Sequence, residues 1–592
     1  MSTSNINPFA VTSPEKLSAE EAQQLFVEVF TDFPQVEKPG NAMIIGARGS
    51  GKSMMFRCLL PDVLMKRNRC DFANLPFVAF HIPIKNTQLK ITDLTRIDDN
   101  YASALINEHF FTLAVMIEIC GQVRQYQDRL VSSQEELKAF YNDVFVAHAE
   151  IAGCENVPQL NDGDCFSQIQ KCLKQQYALF MRFVASIGPN LQSQIPPYNM
   201  PIFTFRMFLA PFLQGLKSLS GFPKGKNVHL FIDDADNLSK TQTQILNSWL
   251  GMRLQPDISI KVSTQLGKYK SYLSVDGTLV EAPHDYQRIS ISDIYTTKKK
   301  AYYNRVQEII AKRLSRAGIN LTPEEYFPLY KKQEDEIEKE RQRLIAAWET
   351  EGRGARAVDD ALRYARPNYI KSLGGEHKSR PTYMYAGFFQ LVHLSSGVIR
   401  VFLETASLMF EEAKKDEYKG QRKKEEIPCS AQDTIVREYA QSELFLRFDN
   451  LNKDLGGASG GTETRTLVCL KNLIMSMGRT FYNILVSDRS ERRVFSIALT
   501  NEPDEEIKAV LDLGVQTGYF HASTIGRKDG SGRTNLYILN RILAPLFNLD
   551  PTGFAGYLFV TNDALRGAMY NQQLLRVEAE NSPEPEQLTL FD

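Results

Sequence analysis

The chain has 592 residues, 43% of them hydrophobic and 23% charged, with a formal net charge of −1. That balance fits a globular chain of several domains with large cores and excludes a mainly disordered or collagen-like protein. With 69 basic against 70 acidic residues there is no global basic signal, so any nucleic-acid contact has to come from a local patch.

The opening MSTSNINPFAVTSPEKLS lacks a basic start followed by an apolar run, so it is not expected to be a signal peptide. Eight cysteines are scattered with no CxxC spacing. This predicts free thiols in a reducing cytoplasm rather than a zinc site or a disulfide framework. The most apolar helical stretch, HFFTLAVMIEIC, is short and interrupted by Glu118, which predicts a core helix and not a membrane span.

Chemistry enters with NAMIIGARGSGKSMMFRCLL. Gly46-Ala47-Arg48-Gly49-Ser50-Gly51-Lys52-Ser53 fits GxxxxGK[ST] at every position. Ala42 to Ile45 reads as a buried strand before the loop, and Met54 onward as a helix after it. Glycines let backbone N–H groups curl around phosphates, and the helix N-terminus adds partial positive charge. Lys52 is placed for the β and γ phosphates and the Ser53 hydroxyl for Mg²⁺, so ATP and Mg²⁺ are the expected cofactors.

Phe77 to Ile82 reads as a second strand. The acidic strand such a loop requires comes much later, at NVHLFIDDAD, 180 positions from Ser53 to Asp233. A strand–helix–strand crossover needs only about 30 residues, so residues of about 98–220 are expected to be an insertion. It reads as helical, with Phe166, Ile169, Leu173, Tyr177, Phe180 and Val184 recurring at helical spacing as a core stripe. The insertion is a candidate partner surface.

Val228 to Ile232 is an apolar strand ending in Asp233, the expected Mg²⁺ partner, and Asp234, placed to orient the attacking water. Asp234 also fits a simpler role as an acidic strand end. PDISIKVSTQL supplies the next strand, with Thr264 expected between the acids and the γ-phosphate, or serving as a plain strand-end cap. In YQRISISDIY, Arg288 either reaches a neighbouring subunit's γ-phosphate as an arginine finger or is a surface arginine.

YYNRVQEIIAKRLSRAG begins a helical lid. KKQEDEIEKERQRLIAAWE reads as a solvated helix with opposite charges at i,i+4, and EEAKKDEYKGQRKKEEIP as a charge-dense linker. From about residue 429 come helices, the strand RRVFSIAL, the helix DEEIKAVLDLGVQTGYF and two strands around a Gly-rich turn. That order suits a winged helix. Its turn carries Arg527, Lys528 and Arg533, donors suited to DNA phosphates and not to reading bases. A winged helix used only for protein contacts remains the alternative.

The last stretch, AENSPEPEQLTLFD, has a disorder-prone composition until its tip. Gln587, Leu588, Leu590 and Phe591 resemble the short peptide by which bacterial proteins dock on the replication sliding clamp. Leu590 and Phe591 would be the apolar anchors, Leu588 a further contact and Gln587 a rim hydrogen bond. Packing of the tail on its own body is the other reading.

Taken together, the opening NPF, the loop GARGSGKS, the strand LFIDDAD and the stretch HLSSGVIRVFLETA resemble AAA+ ATPases of the origin-recognition and initiator-like clade, including bacterial relatives from mobile elements and defence islands. The resemblance implies that Arg400 is a second sensor, a lid arginine that touches the γ-phosphate. It implies an α/β P-loop core over 1–295, a helical lid and charged linker over 296–428, a winged helix over 429–570 and a tail over 571–592. The family's second acid is usually Glu. Asp234 is one methylene shorter, which implies slow hydrolysis. The expected function is an ATP-controlled switch that recruits or licenses a partner at replicating DNA, with duplex DNA, the sliding clamp, a separate effector and a second copy of the chain as candidate partners. The other class of reading is a signalling NTPase that oligomerises on ATP and senses a protein. The chain carries no recognisable nuclease, protease or deaminase constellation.

Overall fold

The computed structural model describes residues 7–27, 33–85, 103–160, 164–186, 198–252, 257–291, 299–350, 356–373, 382–418, 425–456, 462–487, 493–526, 532–553 and 556–575. They fall into two compact units. One is Thr12–Lys312; the other joins Met1–Val11 to Arg313–Asp592.

The first unit is built on five strands: β1 Ala42–Ile45, β2 Phe77–Pro83, β3 Asn227–Asp233, β4 Ile258–Thr264 and β5 Gln287–Ser290. Their order across the sheet is β2-β3-β4-β1-β5, and every pairing is parallel. β1 and β4 are buried at every residue and β3 at all but its first, because helices cover both faces. Parallel strands put all their C-terminal ends on one edge, so the loops after β1, β3 and β4 emerge side by side.

Between β2 and β3 the elements among the described residues are all helices, with no strand. The helix Ser103–Val123 covers the sheet, with Phe111 stacked on Trp249 of the helix Lys240–Gly251 at 4.6 Å. The stretch Ala104–Leu130 is long and apolar enough to cross a membrane, yet 67% of its apolar window is buried in the fold, as befits a core helix. Against it lies the helix Cys165–Ser186. Phe166, Ile169, Leu173, Phe180 and Val184 are buried, and Tyr177 is half-buried. All eight cysteines are free.

The second unit begins with the N-terminal strap. Phe9 is fully buried, its ring 5.7 Å from that of Tyr326 and 5.6 Å from that of Phe327. Asn7 Nδ2 donates to Ser407 Oγ at 2.9 Å, and Arg313 Nη1 to Pro8 O at 3.0 Å. The mixed-charge helix Lys331–Thr350 pairs at i,i+3 and not at the expected i,i+4: Lys339 with Glu336, Arg341 with Glu338, Arg343 with Glu340. It packs on a partner, Arg356–Leu373, through Arg366 and Glu334 at 2.8 Å.

The boundary expected at residues 428/429 lies inside this unit, and hydrogen bonds cross it. Gly387 N donates to Gln432 Oε1, and the Tyr385 hydroxyl to Leu549 O. The C-terminal sheet has the order β7-β8-β6-β9, with β6 Val494–Leu499, β7 Phe520–Gly526, β8 Arg533–Leu539 and β9 Gly556–Val560. β7–β8 and β8–β6 are antiparallel; β9 runs parallel to β6. One helix, Glu505–Thr517, stands between β6 and β7. β9 and the following helix Asn562–Asn571 were absent from the sequence reading.

His109 anchors the insertion. It is 1% exposed, its Nδ1 accepts from Phe203 N at 2.9 Å, and its Nε2 lies 2.9 Å from the Tyr198 hydroxyl. Burial pushes its pKa down to about 3 from an ordinary 6.5. The folded chain therefore keeps it neutral, while the unfolded chain takes up a proton as pH falls through 6.5. Stability is lost as pH drops from 6.5 toward 3, by up to ~1.4 kcal/mol per pH unit from this group. A His109→Gln variant is expected to be less stable at pH 8 by about 1–2 kcal/mol, having lost shaped hydrogen bonds, but to show a flatter loss between pH 6.5 and 4. Urea midpoints measured across that range check this; parallel curves for the two proteins would refute it.

Candidate nucleotide site

The loop after β1 is shaped by its glycines. Gly49 and Gly51 have φ of +84° and +104°, a region that favours glycine. A Cβ on Gly46 would stand 2.9 Å from Ser50 Oγ and 3.0 Å from Ile291 Cβ. Gly46 N donates to Thr264 O at 3.2 Å, tying the loop to β4. The helix Lys52–Cys58 starts directly behind it. Lys52 is buried, with Nζ donating to the carbonyls of Gly46 at 2.9 Å and Ala47 at 3.1 Å. The Arg48 side chain is exposed. Ser50 Oγ is buried with no hydrogen-bond partner among the described residues.

β3 delivers Asp233 to the same edge at 1% exposure. One carboxylate oxygen is 3.1 Å from His81 Nε2 on β2, and the other takes the Ser263 hydroxyl from β4. The Ser53 hydroxyl also bonds to it. Asp234 follows in a left-handed conformation, φ +57° and ψ +44°. Its N–H donates to Asp233 Oδ1 at 3.1 Å and to Ser263 Oγ at 2.9 Å. Asp236 is occupied elsewhere, taking Gln265 N at 3.1 Å and Gln265 Nε2 at 2.8 Å.

The two carboxyls are pulled apart in acidity. Burial works against the charge on Asp233, but the hydrogen bond and charge of His81 and the hydroxyls of Ser263 and Ser53 outweigh it, so its pKa lies below the ordinary value. For Asp234, burial and then the charges of Asp233 and Asp236 push the pKa up, while Lys52 and Lys85 pull it back. One acid is held as an anion; its neighbour is the better proton acceptor, a split that separates metal binding from base chemistry.

The structure thus brings together Lys52, Ser53, Asp233 and Asp234. Thr264 does not join them. Its hydroxyl makes a 3.4 Å contact with Gln265 O, and Ser263 reaches the acids instead. Successive strand residues point to opposite faces, so the position shifts by one. Arg288 lies exposed on edge strand β5, opposite Met43 of β1. Arg400 belongs to the second unit, half-buried at the start of the helix Ile399–Tyr418, after Ser396 and Gly397 at φ +48° and +80°. Arg533 opens β8, exposed, with its guanidinium on Thr524 Oγ1 at 3.0 Å. Arg527, Lys528, Gln587, Leu588, Leu590 and Phe591 lie outside the described residues. Sequence reasoning missed His81 and Ser263. His81 lies near the C-terminal end of β2, and a histidine near the end of a strand neighbouring the acids is the signal that could have found it.

A family model described as ORC-CDC6-like matches residues 7–358 and 348–559. The chain belongs to the ORC-CDC6-like family. Its first unit is the α/β AAA+ core of such proteins. Among solved structures it is similar to Cdc6p from Pyrobaculum aerophilum, at 11% identity and a TM-score of 0.28, covering 91% of this chain and 97% of that one. It is also similar to the Aeropyrum pernix Orc1 protein, solved in complex with DNA, at 12% identity and a TM-score of 0.25, covering 92% and 95%. No curated protein matches it.

The ORC-CDC6-like family implies ATP with Mg²⁺, and the residues fit both. The glycine cradle, the buried lysine and the orphaned Ser50 hydroxyl suit phosphate oxygens. Among the described residues no three His, Cys, Asp or Glu side chains cluster to hold a metal alone. A magnesium ion held by one carboxylate, one hydroxyl and nucleotide phosphates requires no such cluster.

The shift from Thr264 to Ser263 is testable. Ser263→Ala strips a partner from a buried anion and is expected to cost about 1.5–3 kcal/mol. Thr264→Val removes only a long contact and is expected to cost under ~1 kcal/mol. Urea denaturation of the two variants checks the order; a larger loss for Thr264→Val would reverse the assignment.

Proposed function

We propose that the protein is an ATP-binding and slowly hydrolysing switch that acts at DNA. The observation that carries this reading is the convergence of Lys52, Ser53, Asp233 and Asp234 at one edge of the sheet. Lys52 would leave the loop carbonyls for the β and γ phosphates, and Ser53 and Asp233 would hold Mg²⁺. The bound ion would supply neutralisation of phosphate charge. Asp234, the more basic acid, would take the proton of the attacking water. Its short arm and left-handed backbone favour slow turnover. Arg400 would report the γ-phosphate to the lid, and Arg288 would serve a neighbouring subunit.

The order β7-β8-β6 with a helix ahead of the hairpin supports a winged-helix reading of the C-terminal module. That helix is an unsuitable groove reader: its exposed positions include Glu505, Glu506 and Asp512 against Lys508. DNA phosphates would therefore meet the turn between β7 and β8, with Arg527, Lys528 and Arg533. The tail with Gln587, Leu588, Leu590 and Phe591 would tether the sliding clamp, raising the protein's local concentration at replicating DNA. A cytoplasmic mobile-element or anti-phage setting, with a separate effector, completes the proposal. The acidic helix favours one second reading, a signalling NTPase whose C-terminal module binds protein.

Two outcomes are expected. ATP turnover by the purified protein rises when duplex DNA is added, with Lys52→Ala as the blank; turnover indifferent to DNA would favour the signalling reading. Asp234→Asn keeps the fold and nucleotide binding, since asparagine tolerates a left-handed backbone. It lowers turnover by about 100-fold, the scale of a lost general base. Unchanged turnover would remove Asp234 from the chemistry.

A further inference from the structure

Among the described residues β2 is an edge strand of the core sheet, with no strand paired to one side of its backbone. At His81 that side is occupied by a side chain. Gln122 Oε1 accepts from His81 N at 2.9 Å, and Gln122 Nε2 donates to His81 O at 2.7 Å. One amide thus brackets both backbone groups of a single residue, as a neighbouring strand would. The imidazole of that residue is the one that reaches Asp233, at 3.1 Å. Phe56, on the phosphate-loop helix, lies edge-on to the same ring with centroids 6.3 Å apart.

Gln122 sits in the last turn of the helix Ser103–Val123, where a second insertion helix comes closest. A Cβ on Gly121 would stand 2.8 Å from Gln170 Nε2, and that nitrogen donates to Ile117 O at 3.0 Å. Gln170 belongs to the helix Cys165–Ser186. Two helices of the insertion therefore meet one residue from the amide that fixes His81.

We infer that Gln122 and His81 are positioning residues through which the helical insertion sets the orientation of Asp233, and with it Mg²⁺ affinity at the nucleotide site. The inference rests on the nucleotide reading above. Neither residue touches nucleotide: His81 acts through the carboxylate, and Gln122 acts through His81. Groups that orient a metal-binding carboxylate are worth about 10–100-fold in metal affinity.

The test measures binding of a fluorescent ATP analogue to the full chain in EDTA and across a Mg²⁺ titration. Gln122→Ala and His81→Ala are each expected to raise the half-saturating Mg²⁺ roughly tenfold while leaving affinity in EDTA unchanged. His81→Gln, which keeps a donor within reach of Asp233, is expected to recover most of the loss. Should Gln122→Ala unfold, Gln122→Glu carries the test. It is nearly isosteric, still accepts from His81 N, cannot donate to His81 O, and is expected to shift the titration in the same direction. Wild-type binding with superimposable Mg²⁺ curves for all variants would overturn the relay alone. Equal weakening with and without Mg²⁺ would also overturn it, as the mark of a merely structural role. Absence of nucleotide binding by the wild type would instead overturn the nucleotide reading, and the relay with it.

Discussion

A carboxylate at 1% exposure must find partners for its oxygens inside the protein, and the organisation of the core follows from how Asp233 does so. Its hydrogen bonds come from three directions: His81 on β2, Ser263 on β4 and Ser53 on the phosphate-loop helix. Those elements are separated in sequence by up to 210 positions, from Ser53 to Ser263. Only a sheet that places β3 between β2 and β4 lets both strands reach the acid at once. The same sheet carries the phosphate loop on β1, next to β4, with Gly46 tied to Thr264. The loop and the acids are thus held at fixed spacing by β4, a strand that contributes a hydroxyl to one and a carbonyl to the other.

How much of this could be read from the chain depends on which physical signal each feature leaves. The phosphate loop is legible because glycine is needed at left-handed positions and lysine and serine at set offsets. β1, β3 and β4 are legible because strands buried on both faces read as apolar runs ending in polar residues. The Thr264 to Ser263 shift was not legible. Which of two adjacent hydroxyls faces the acid depends on strand parity relative to a neighbour, and no single sequence states that register. β9 was missed because GYLFV is a five-residue strand whose pairing is set by β6. The helix Arg356–Leu373 was missed for a different reason. It carries Pro367 in its interior, and its stability comes from packing on the charged helix beside it.

The C-terminal module shows why net charge alone says little about DNA contact. The exposed positions of its helix Glu505–Thr517 include Glu505, Glu506 and Asp512 against Lys508. Several of the nearby acids are already paired: Asp504 with Arg566, and Glu506 with Arg465 at 3.3 Å. Pairing these acids consumes the arginines that could otherwise meet phosphate. Arg533 differs. Its guanidinium meets the hydroxyl and carbonyl of Thr524, and among the described residues no acid pairs with it. Paired and unpaired charge therefore sit on different elements of one small sheet domain.

The placement of the helical insertion follows from topology. Between Pro83 and Asn227 lie 143 positions, far more than a crossover between neighbouring parallel strands requires. Such a length is tolerated because loop-closure entropy grows only slowly with loop length. It also extends from the one crossover whose first strand is a sheet edge. The helix Ser103–Val123 has two duties there. Its apolar face packs on the helix Lys240–Gly251, Phe111 against Trp249, and its last turn supplies an amide to the backbone of β2 at His81. Grown from this crossover, the insertion shares with Asp233 a hydrogen-bonded path two residues long, through Gln122 and His81.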